Sequence, residues 1–118
     1  MRLAYIAMPY RAPNAWEIHQ NIEAAKRLAR KYWKSGLLAV ICPHANTAHF
    51  DGADILDTVW LRGTLEMMKR CDVVVMGPRW KRSPGAIIEH DTAKECGIEI
   101  LYDDSPEMEL FCYGEVKG

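Results

Sequence analysis

The sequence has no apolar run long enough to cross a bilayer. The longest runs, such as Val73 to Met76, end after a few residues. The N-terminal Met1-Arg2-Leu3-Ala4-Tyr5-Ile6-Ala7-Met8-Pro9 is too brief for a signal peptide and lacks a cleavage pattern. No membrane partner is expected. An excess of one charge is also missing: 15 Lys and Arg face 16 Asp and Glu, for a formal net charge of -1. Without a basic field, nucleic acid held through its phosphates is not an expected partner. Cys42, Cys71, Cys96 and Cys112 show no C-x-x-C spacing. With 49% hydrophobic residues the chain can build a core without staples. These cysteines read as reduced, buried thiols in a cytoplasmic protein rather than as disulfides. No G-x-G-x-x-G follows the first apolar run, which removes a generic dinucleotide-binding domain. His44, His49, Asp51 and Asp54 lie near one another, but their spacing matches no zinc or facial-triad pattern. No metal and no cofactor are expected.

What is present suits one domain over residues 1–118, with no repeat, linker or low-complexity segment. Leu3 to Met8 reads as a strand ended by Pro9, and residues 9–15 as a loop. Trp16 to Ser35 has helical periodicity, with Ile18, Ile22, Ala25, Ala29 and Trp33 on one stripe and Gly36 as the stop. Leu37 to Cys42 reads as a buried strand and residues 43–54 as a long loop. Ile55 to Arg70 is a helix with Trp60, Leu61, Leu65 and Met68 inward. Asp72 to Met76 is a strand, Ser83 to Cys96 a helix stopped by Gly97, and Ile98 to Tyr102 a strand. Glu107 to Phe111 fits a short helix or an edge strand. Strands without alternation are covered on both faces. The order therefore predicts an α/β protein: a small doubly wound, flavodoxin- or Rossmann-like parallel sheet of four to five strands flanked by helices. Ligands of such folds sit beyond the carboxyl ends of the strands, here residues 8–15, 42–54 and 77–85.

Chemistry concentrates between Cys71 and Gly97. Ser83 suits a helix N-cap and Pro84 the first helical position. The helix then begins at the ligand edge of the sheet, with free amides able to hold an anion. Arg79, Lys81 and Arg82 add positive charge, or simply solvate the loop. At about 100° per residue, Gly85, Ala86, Glu89, Ala93 and Cys96 share a face. Asp91, Lys94 and Glu95 lie elsewhere. Glu89 is the one carboxylate on the face that packs on the sheet, and burying it unpaired is costly. It has either a structural hydrogen-bond partner or a place in a cavity. His19 and His90 fall on outer faces and carry no expected role.

Ser83-x-Gly85-x-x-x-Glu89, with Ala93 four residues on, resembles the signature of the nucleoside 2-deoxyribosyltransferase-like superfamily. Tyr5-Ile-Ala-Met-Pro-Tyr-Arg11 is similar to its first strand and sugar/phosphate loop. Cys71-Asp72-Val-Val-Val is similar to its third strand, and Gly97-Ile98-Glu99-Ile100 to the next. Trp16, Asn21, Pro43-His44-x-Asn46-Thr47 and Trp80 are most similar to a branch of small relatives of about this length, near the 2'-deoxynucleoside 5'-monophosphate N-glycosidases.

The resemblance implies cleavage or transfer at the N-glycosidic bond of a (deoxy)nucleoside 5'-monophosphate. Glu89 is then the nucleophile at C1' and Tyr5 its neighbour, in a two-step route like that of retaining glycosidases. Ser83, Gly85 and Arg11 hold the 5'-phosphate. His44, Trp80 and residues 42–54 shape the base pocket. From the residues alone, Tyr5 is equally an aromatic strand residue. One departure stands out. The superfamily's usual Asp, eight residues before Asp72, is Thr64 here, which has no titratable proton near neutrality. Asp51, Asp54 or Asp57 could replace it. Otherwise the protein binds a nucleotide, or a nucleotide-derived signal, without turning it over. Asp72 itself reads as a turn residue. The expected partners are a small-molecule nucleotide or nucleoside and a second copy of the chain, in a homodimer or higher homo-oligomer.

Overall fold

Burial along the first strand sets the two faces of the sheet. In β1 (Arg2–Ala7), Ala4 and Ile6 pack with Ala24, Ala25, Leu28 and Ala29 of the helix that follows. Tyr5 and Ala7 turn to the opposite face and pack with Met68, Ala86 and Ala93. That alternation is the pleat of a strand with period two. Both faces are covered, so β1 needs apolar residues on each.

The computed structural model describes residues 1–50 and 52–105. After β1 come α1 (Ala15–Lys34), β2 (Leu38–Ile41), a single-turn α2 (Pro43–Asn46) and α3 (Asp57–Lys69). Then follow β3 (Val73–Met76), a 3-10 turn (Trp80–Arg82), α4 (Pro84–Glu95) and β4 (Glu99–Tyr102). The described residues form one four-stranded sheet of order β2-β1-β3-β4 with every pair parallel. In this register Tyr5 lies between Ile41 and Val74. The chain moves one way from β1 to β2 and the other way from β1 to β3. The carboxyl ends of β1 and β3 therefore flank the switch point where doubly wound folds open a crevice. The expected α/β fold with a doubly wound parallel sheet is the one observed.

Local chemistry explains the helix ends. The Asn14 side chain accepts from the Glu17 amide at 2.9 Å and donates to the Glu17 carboxylate at 2.7 Å, a reciprocal cap that starts α1. Gly36, at φ +75°, ends it. Ser83 caps α4 by accepting from Ala86, with Pro84 in the first turn. Just beyond the carboxyl end of β4 the buried Asp103 carboxylate accepts from Lys31 at 2.8 Å and Tyr32 at 2.7 Å. Burial alone would raise its pKa. The bonds from Lys31, Ser105 and Tyr32 outweigh burial and hold it well below the usual carboxylate range.

Several expectations need correction. Residues 43–54 are not loop throughout, because Pro43 suits a first helical position and begins α2. Trp33, assigned to the buried stripe of α1, is 52% exposed, and Leu28 takes the core position instead. Cys96 is exposed at the end of α4, whereas Cys71 is buried. His90, placed on an outer face, is buried. The segment Glu107 to Phe111 and Cys112 lie outside the described residues, as does Asp51.

Gly77, just beyond β3, admits a close approach. A Cβ there would sit 2.4 Å from Met8 Cγ and 3.0 Å from Leu28 Cδ2. Gly63, inside α3, has nothing within 4 Å of that position. Gly77→Ala should destabilise the protein by about 1–3 kcal/mol through overpacking. Gly63→Ala should stabilise it by about 0.5–1 kcal/mol through helix propensity. Denaturant unfolding of the two variants checks the opposite signs.

Candidate functional site

A crevice of about 630 Å³ opens at the carboxyl edge of the sheet. All three segments expected there contribute: Met8, Tyr10 and Arg11 after β1, Pro43 and His44 after β2, and Ser83 to Gly85 after β3. The volume lies within the range of small-molecule sites, about 300–1,000 Å³.

Glu89 lines this crevice from α4 and is 8% exposed. The helix turns it to the sheet because Ala86 and Ala93, on the same face, are small enough to pack closely. There it meets the Tyr5 side chain, which the pleat of β1 sends to the same face. The Tyr5 hydroxyl donates to Glu89 Oε2. Among the described residues no cation pairs with Glu89. Burial pushes its pKa from 4.5 up to about 7, and the Tyr5 hydrogen bond opposes only part of that rise. Burial, reinforced by the Glu89 charge, raises the Tyr5 phenol well above its ordinary value. Tyr5 therefore stays protonated and donating. It holds one carboxylate oxygen and leaves the other to the crevice.

The remaining sequence-nominated residues divide into those that line this space and one that does not. The Ser83 hydroxyl accepts from Ala86 at 3.3 Å and retains its own proton to donate. Gly85 has open space where a side chain would be, and among the described residues its amide has no partner. Arg11 lines the crevice in an ion pair with Asp57. Thr64 lines it too. Its hydroxyl donates to the Leu61 carbonyl at 3.1 Å and also interacts with the Tyr5 phenol. Asp54 and Asp57 line the crevice. His44 is buried, with Nε2 2.9 Å from the Pro9 carbonyl and its ring edge-on to Tyr10. Burial lowers its pKa, which keeps the imidazole neutral. Trp80 is not among the residues lining the crevice. It faces a second hollow and stacks on His90, with ring centroids 4.2 Å apart.

Sequence reasoning gave Asn21 no physical role. It is 1% exposed and donates to the Tyr10 carbonyl at 3.0 Å, which pins the loop carrying Arg11. The available signal was a polar residue beside Ile22 on the inward stripe of α1. Among the described residues no group of His, Cys, Asp and Glu is arranged to hold a metal ion. No described helix is long and apolar enough to cross a membrane.

The carboxyl of Glu89 titrates at about 7 in the folded protein, against 4.5 ordinarily. Its contribution to stability is fully present below the lower value and is lost as pH rises through about 7. Glu89→Gln should therefore stabilise the protein above pH ~7, on the order of 2 kcal/mol, with little gain near pH ~4. Unfolding of both proteins at the two pH values checks this.

Comparison with known proteins bears on this architecture. The 2-desoxiribosyltransferase from Leishmania mexicana superposes with a TM-score of 0.59 at 21% identity, over 93% of this chain and 71% of that one. The likeness shows a shared deoxyribosyltransferase-like fold. No curated protein matches the sequence. The family model described as "Domain of unknown function (DUF4406)" matches residues 18–102, a span that runs from the first turn of α1 to the end of β4 and contains Glu89. The chain belongs to the DUF4406 family.

Proposed function

We propose that the crevice cleaves or exchanges the N-glycosidic bond of a (deoxy)nucleoside 5'-monophosphate, with Glu89 as the nucleophile. The observation that carries this reading is a single buried carboxylate, poised near neutrality by burial and held at one oxygen by Tyr5, in a crevice of nucleotide size. The other oxygen attacks C1' as the C1'–N bond breaks. The bonding pair leaves with the base, which takes a proton from an acid or from water. A sugar ester of Glu89 results. Water then attacks C1', releasing the sugar phosphate and the carboxylate, or a second base does so and completes transfer. Tyr5 positions Glu89 and stays a proton donor throughout.

Phosphate recognition falls to the start of α4. The Ser83 proton and the Gly85 amide are free to donate there, and the helix dipole favours an anion. Arg11 adds charge and exchanges its partner Asp57 for the phosphate. His44 and the 42–54 segment border the base. Membership of the branch near the nucleotide N-glycosidases is part of this reading.

Thr64 supports a second reading, nucleotide binding without turnover, because its hydroxyl cannot protonate a leaving base near neutrality. Incubation with the common nucleoside 5'-monophosphates, followed by chromatography, separates the two. Catalysis predicts free base, a loss of roughly 10³-fold or more in Glu89→Ala, and a kcat/KM that rises with pH through about 7 as Glu89 ionises. Calorimetric binding with unchanged nucleotide establishes the second reading instead. The absence of both base release and binding heat with every nucleotide overturns both readings.

Apolar side chains at the mouth are exposed: Phe50 by 49%, Leu56 by 73% and Ile88 by 40%. Such a cluster suits coverage by a second copy of the chain. The reading includes a homodimer or higher homo-oligomer, and light scattering at monomer mass would reject that part.

A further inference from the structure

The hollow that holds Trp80 shares no lining residue with the crevice. It measures about 640 Å³ and is bordered by Pro78, Arg79, Trp80, Lys81, Arg82, His90, Tyr102 and Asp104. We propose that it is a second ligand site, one that takes a phosphate-type oxyanion on the Arg79–Arg82 turn.

Charge is the first argument. Three of four consecutive residues are cations in a chain whose net charge is -1. Among the described residues that line the hollow, Asp104 is the one carboxylate. A second, Asp91, is engaged by His90 Nδ1 at 3.0 Å. A local cationic excess in a concave surface favours an anion, and arginine's planar fork matches phosphate oxygens two at a time.

The built floor is the second argument. Trp80 stacks on the buried His90 with ring centroids 4.2 Å apart, and His90 Nε2 lies 2.7 Å from the Tyr102 hydroxyl. The Lys81 ammonium lies over the Trp80 ring, 5.8 Å from its centroid. The aromatic surface is therefore already engaged. What the hollow offers a ligand is charge and hydrogen bonding rather than a stacking platform, which selects a compact oxyanion over a planar ring. Tyr102, which also borders the hollow, is 52% exposed.

The backbone is the third argument. Arg79 holds φ +66°, the left-handed region that a non-glycine residue enters at a cost. The turn is closed by Arg82 N–H to the Arg79 carbonyl at 3.0 Å and Ser83 N–H to the Trp80 carbonyl at 3.1 Å. The three cations are thus presented by one fixed turn instead of by a free loop. A conformation kept at a cost, on the residue that opens a cationic cluster, fits a binding role.

Amide and indole NMR of the full chain tests the proposal. Inorganic phosphate and a sugar monophosphate are titrated separately, with sodium chloride at matched ionic strength as the control. The Trp80 indole and the residue 79–82 and Tyr102 amides should shift and saturate with at least one phosphate. Saturation by inorganic phosphate alone identifies the free ion as the ligand, and saturation by the monophosphate alone identifies an organic phosphate. Lys81 and Arg82 are both exposed, so a Lys81→Gln/Arg82→Gln double variant should fold and bind at least about tenfold more weakly. Shifts that chloride reproduces, the absence of shifts, or unchanged affinity in the double variant overturn the site. Signals from Gly85 and Glu89 report the crevice separately, so failure of the nucleotide reading would leave this result intact.

Discussion

A nearly buried carboxylate beside a phenol is the constraint around which the rest of the molecule is arranged. Glu89 reaches Tyr5 only if the pleat of β1 sends residue 5 to the face where α4 packs, and only if α4 packs close enough. Ala86 and Ala93 meet the second condition, and parallel pairing of β1 with β3 places the strand that leads into α4 beside Tyr5. Water would bring the carboxyl back toward its ordinary pKa, and a nearby arginine would push it lower still. Among the described residues no cation pairs with Glu89, which is 8% exposed. Burial therefore dominates, and the group stands near neutrality.

The fold was legible because its signals are repeated. β1 and β3 are apolar without alternation, which marks strands covered on both faces, and α1 and α4 carry separate start and stop residues. What remained illegible depended on single contacts between distant segments. His90 looks outward on a helical wheel, yet the Trp80 turn folds over it and Tyr102 supplies a hydroxyl, so tertiary packing buries it. Trp33 looks inward on the same kind of wheel, yet near the end of α1 it remains half exposed while Leu28 is buried. Pro43 begins a one-turn helix too short to leave any periodicity in the sequence.

The site divides in the same manner. The Ser83-Pro84-Gly85 start of α4 and the inward Glu89 follow from spacing alone, because a helix fixes the relation of residues four and six positions apart. Trp80 does not, since it sits in a turn whose direction depends on a left-handed Arg79 that no pattern announces. The Arg11–Asp57 ion pair was equally hidden. It joins two segments 46 positions apart that meet only because β1 and α3 converge at one edge of the sheet. Thr64 brings a hydroxyl to the place where the superfamily resemblance expects a carboxylate, and it keeps contact with Tyr5 without contributing an acid.

One turn of α4 carries more than its share. Ile88 and Glu89 open on the crevice, His90 forms part of the floor of the other hollow, and Asp91 engages His90. Four neighbouring codons thus serve two separate surfaces, and none of them is a bystander. A backbone shift in this turn that alters one surface also moves the helix on which the other is mounted.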